Sequence, residues 1–132
     1  MFDLFYIAHF RKIFGSEPEP ADGLGDESVE ARLAQRGLNI PTALSDYYSL
    51  VGYHRINRQQ NRLRPIEELD WYEDWLVFMD DEYGIVSWGI HKQDLETPDP
   101  VVWQGVLGEE MDWLQEDCTL SQFFIEMWKE TA

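Results

Sequence analysis

From Trp75 onward, apolar side chains recur at every second position. In WLVFMDDEYGIVSWGI (75–90), Leu76 and Phe78 alternate with Trp75, Val77 and Met79, and Val86, Trp88 and Ile90 alternate with Ile85, Ser87 and Gly89. A period of two belongs to strands. The DDEYG between the runs contains the Asp and Gly that tolerate turn angles, so the stretch predicts a hairpin. VVWQGVL (101–107) predicts a further strand, because the prolines of the preceding TPDP end one pairing and restart the chain. In TLSQFFIEMWKE (119–130) the period becomes helical: Leu120, Phe123, Phe124, Met127 and Trp128 recur at i, i+3, i+4, i+7 and i+8. Thr119 and Gln122 stand at the spacing of a capping box at its start.

Before residue 53 the apolar spacing is also helical, but shorter. DLFYIAHFRKIF (3–14) places Leu4, Ile7, Ala8 and Phe14 near one face, with Asp3 as cap and Gly15 as stop. SEPEPADGLG (16–25) predicts a loop or mobile segment. DESVEARLAQRG offers Asp26 as N-cap and Gly37 as stop, and PTALSDYYSLVG puts Pro41 at the first helical position with Gly52 after the end. Residues 53–65, YHRINRQQNRLRP, have no periodic apolar face and predict an exposed ribbon or loop. The order is helices, then a mainly antiparallel sheet, then a closing C-terminal helix. This is an α+β chain, and at 132 residues it predicts a single domain, 1–132.

Charge changes the picture more than overall composition does. The formal net charge is −16, and residues 65–132 hold 18 of the 26 acids against only Lys92 and Lys129. Such a field repels phosphate backbones and anionic lipid, so nucleic acid and membrane surfaces are poor partners and a basic protein is a good one. Asp80, Asp81 and Glu82 on the hairpin turn, Asp94, Glu96 and Asp99 on the next connection, and Glu109, Glu110 and Asp112 beyond it are the expected partner-binding residues. They are read as one acidic edge that steers a basic partner. The four arginines of 53–64 are expected to be solvated or to pair with acids of the second half.

Chemistry finds little support. Runs of adjacent turn carboxylates are normally all ionised, whereas acid–base catalysis needs carboxylates whose environments push their pKa values apart, so an enzyme is not expected. The acids lack EF-hand spacing, and Cys118, His9, His54 and His91 show no ligand spacing. No metal and no cofactor is expected. A lone cysteine and an N-terminal apolar run whose basic residues follow it predict a cytoplasmic protein, and no run approaches the roughly 20 apolar residues of a membrane span. Trp88, Trp103, Phe123, Phe124 and Trp128 are read as core. Trp71, Trp75 and Trp113, set among acids, are read as partly exposed anchors.

Several of these pieces together resemble the SUKH superfamily, which includes bacterial immunity proteins and yeast regulators of cell-wall synthesis. RLAQRGLNIPTALSDYYSLVG is similar to the family's helix, Gly-hydrophobe-x-hydrophobe-Pro and second helix ending in Gly. INRQQNRLRPIEEL follows, and then LVFMDDEYGIVSWGI resembles its strand, acid-rich turn and strand ending Trp-Gly-hydrophobe. TPDPVVWQG and LSQFFIEMW resemble the next strand and the closing helix. The resemblance covers residues 30–129; residues 1–29 match poorly, and Glu82-Tyr83 stands where the family commonly carries Asn-Gln. It implies a non-enzymatic protein that binds and neutralises a cognate bacterial toxin, such as a basic nuclease. The alternative is a cytosolic scaffold or regulatory binding protein of the same fold.

Overall fold

A computed structural model describes residues 1–132. Its helices are α1 (Asp3–Phe14), α2 (Asp26–Arg36), α3 (Thr42–Val51) and α4 (Leu120–Thr131), and no helix is long and apolar enough to cross a membrane. Its strands are β1 (Asn61–Leu63), β2 (Asp70–Tyr72), β3 (Trp75–Asp81), β4 (Val86–His91), β5 (Val101–Leu107) and β6 (Met111–Thr119). All pair antiparallel in one sheet of order β1-β3-β4-β5-β6, with β2 beside β1 along the same edge of β3. The fold is α+β, with three helices before the sheet and one closing it.

The helices cover one face. Phe78 meets Phe123 and Phe124 of α4 edge-on at 5.8 and 5.9 Å, and Leu76, Ile90 and Val102 are fully buried beside them. The apolar stripe of α1 is not the one expected: Leu4 is 76% exposed, while Tyr6 and Phe10, one turn apart, are buried against Trp128. At the centre, the Trp128 indole N–H donates to the Tyr47 hydroxyl at 3.0 Å, Tyr47 donates to Asn57 Oδ1, and Asn57 Nδ2 donates to the Val51 carbonyl. Every polar atom of that chain is thereby paired inside the core, which burial requires.

Several boundaries differ from expectation. The N-cap of α1 is Phe2, that of α2 is Gly25 and that of α3 is Pro41, so Asp3 and Asp26 lie inside their helices and face the positive helix ends. Residues 16–25 are an ordered loop containing a 3₁₀ turn at Pro20–Asp22. Leu24 and Gly25 donate their N–H groups to the Tyr48 and Ser49 carbonyls at 3.1 and 3.0 Å, satisfying the C-terminal end of α3. Gly23 permits this approach, because a Cβ there would lie 1.9 Å from the Ser49 carbonyl oxygen. The expected capping box is present: Gln122 Oε1 accepts from the Thr119 N–H at 3.0 Å, and Asp99 adds acceptors for the Ser121 N–H (2.9 Å) and hydroxyl (2.7 Å).

The other face of the sheet has no helix. Trp75 of β3 and Trp113 of β6 reach across the two intervening strands and stack at 4.7 Å with 11° between planes. They do so over glycines: a Cβ at Gly105 would stand 2.9 Å from the Trp113 ring, and one at Gly89 3.4 Å. Trp103 and His91 complete the cluster, and Tyr72 borders it. Trp103 therefore belongs to this open face, not to the core. Trp88 points to α4 as expected, packing on Phe123 at 5.6 Å, but stays half-buried at a groove.

Candidate functional site

Two turns meet at one end of the sheet. Asp81 Oδ1 accepts from the N–H groups of Ile85 (2.8 Å) and Val86 (3.1 Å), and Gly84 takes a φ of 71°, closing the turn between β3 and β4. Gly108 donates to the Glu110 carbonyl at 3.2 Å in the turn between β5 and β6. Leu107 N–H donates to the Ile85 carbonyl at 2.8 Å, which sets the turns side by side. Glu82, Glu109, Glu110 and Asp112 are exposed here and none is in an ion pair.

Apolar side chains accompany these acids. Tyr83 is 77% exposed, Ile85 50% and Leu107 54%. The neighbouring Glu82 carboxylate raises the Tyr83 phenol above its ordinary range, so the phenol stays protonated. These exposed apolar groups lie among acids that form no ion pair, and sequence reasoning missed all three. The signal was present in YGI, but strand periodicity assigns such residues to pairing before it assigns them to a surface.

The nine expected residues do not form one edge. Asp94, Glu96 and Asp99 lie in the connection between β4 and β5, which the antiparallel register places at the opposite end of the sheet. Asp99 is occupied by Ser121, and Asp94 is half-buried in a 3₁₀ turn at Lys92–Asp94. Asp80 is occupied as well: Arg64 donates to its two oxygens at 2.7 and 3.2 Å, and the Ser87 hydroxyl donates at 2.7 Å. Asp81 folds its own turn. What the structure brings together is Glu82, Glu109, Glu110 and Asp112.

The Arg64–Asp80 pair is the anticipated link between the basic segment and the acidic half. Residues 53–64 are not a free ribbon; they form a 3₁₀ turn at Arg55–Arg58 and then β1. Arg55, Arg58 and Arg62 are exposed without an acidic partner in an ion pair, and Arg62 stands opposite Asp80 in the strand register, at the same end of the sheet as the turn between β3 and β4. No three His, Cys, Asp or Glu side chains converge to hold a metal ion. Burial, with Glu116 and Glu126 nearby, pushes the Cys118 thiol up to about 11, which keeps it protonated near neutrality. Comparison with protein-family models, curated proteins and solved structures yields no match to this chain.

Proposed function

We propose that the chain is an immunity protein of the SUKH kind, which acts in the cytoplasm by binding and neutralising a cognate bacterial toxin with a basic surface. One observation carries the reading: the paired turns present Glu82, Glu109, Glu110 and Asp112 unpaired, together with exposed Tyr83, Ile85 and Leu107. Unpaired acids accelerate encounter with a basic surface, and the apolar side chains supply area that is desolvated once contact is made. A decoy of this type needs no catalysis. It needs only to occupy the toxin's basic cleft more tightly than the substrate does. The resemblance across residues 30–129 supports the same reading.

The test is genetic. Cells deleted for this gene and mixed with the parental strain should be killed on contact, and re-expression of the chain should protect them. Deleted cells that compete equally with the parent overturn the proposal.

A further inference from the structure

The sheet has two edges, and they differ. Along β3 the edge is occupied by the short strands β1 and β2, each three residues long. At the other side β6, nine residues long, ends the sheet and pairs only with β5. The pleat fixes which groups β6 leaves unpaired. Leu107 N–H donates to Ile85, so alternate residues Leu107 and Gly105 turn their backbone groups toward β4, and Val106 and Gln104 turn theirs to Asp112 and Leu114. Met111 and Trp113 therefore point N–H and C=O outward, away from the sheet.

Such an edge invites another strand. Resting on the immunity reading, we propose that β6 is completed by an extended basic segment of the partner, which adds to the sheet as a further strand. The occupant follows from charge. Asp112, Glu116 and Asp117 lie on β6, and Glu126 and Glu130 of α4 line the groove beside it with Trp88. The one nearby cation, Lys129, already faces Glu126 at 3.5 Å. A second copy of this chain would set its own β6 carboxylates against these, and like charges opposite one another destabilise a strand pair. A strand with Lys or Arg at alternate positions would match them. Its side chains would fall alternately beside Met111 and Trp113 on the open face and beside the exposed Leu114 and half-buried Glu116 on the other.

Three nine-residue peptides test this: one alternating Arg and Val, one identical in charge but N-methylated at alternate backbone amides, and one with Gln for Arg. Binding to the intact protein is followed by amide NMR and hydrogen exchange. The Arg–Val peptide should slow exchange of the Met111 and Trp113 amides, and the N-methylated twin should bind at least about tenfold more weakly, since a few backbone hydrogen bonds are lost. Equal affinity of the twins, or shifts confined to Glu82, Glu109 and Glu110 with no protection on β6, overturns strand addition and leaves the acidic-tip reading standing. Equal affinity of the Gln peptide overturns the basic occupant. Protection from killing with a failed peptide result, or the reverse, separates the two readings.

Discussion

Tyr47 holds the core's only side-chain relay, accepting from Trp128 and donating to Asn57, all three at most 2% exposed. Tyr47→Phe keeps the ring and removes the hydroxyl, leaving an indole N–H and an amide oxygen buried without partners. It should cost about 2 to 4 kcal/mol in urea denaturation, since each such group costs about 1 to 3 kcal/mol. Unchanged stability would mean that the relay is not formed. His54 sets a pH dependence. Its Nδ1 accepts from the Ile56 N–H at 3.2 Å and its ring meets Phe10 and Phe14, and burial is the first cause holding its pKa below the ordinary value. The unfolded chain therefore takes up this proton first as pH falls. The stability His54 contributes is fully present above its unfolded pKa of about 6.5 and is lost as pH falls through the folded value below it. Melts of parent and His54→Asn should thus converge in stability between neutrality and pH 5, and an NMR titration placing His54 above 6.5 would reverse the sign.

At the scale of elements, Gly23 and Asp99 tie loops to helices. Gly23→Ala drives a Cβ into the Ser49 carbonyl and should cost about 3 kcal/mol or more. Asp99→Ala should cost about 1 to 2 kcal/mol and Thr119→Ala about 1 kcal/mol, each measured by denaturation, because both serve the first turn of α4. The hairpin of β3 and β4 and the helix α4 were legible because their apolar periods are clean. The longest strand, β6, was not, since MDWLQEDCT carries its acids on both faces and pairs on one side only. Strands β1 and β2 are too short to show a period. Register shifts between Val77 and Met79 and between Val101 and Trp103 also change the phase of alternation. A period read at one end of such a strand therefore misplaces side chains at the other, as it did for Trp103.

Across the whole molecule, the acidic excess was readable from counting, but its division of labour was not. Whether an aspartate is free or engaged depends on partners such as Arg64 and Ser121, 16 and 22 residues away in sequence. The charge variant that isolates steering is accordingly Glu82→Gln, Glu109→Gln, Glu110→Gln, which spares Asp80 and Asp81. On the proposed immunity reading, this variant should associate with the cognate toxin about tenfold more slowly at low salt, with a flattened salt dependence and an unchanged melting temperature. Stopped-flow traces identical to the parent's across a salt series would move the contact surface away from the tip.

The indole laid across Gly89 and Gly105 also constrains how this sequence changes over generations. A methyl group at Gly105 collides with the Trp113 ring, which its stack with Trp75 holds in place. Replacing Trp113 by a smaller residue first removes the obstacle, after which alanine at 105 fills the space left. Of the two orders in which both substitutions can accumulate, one passes through a defective intermediate and the other does not. Lineages descended from this chain should carry a side chain at position 105 only where the tryptophan at 113 has already gone.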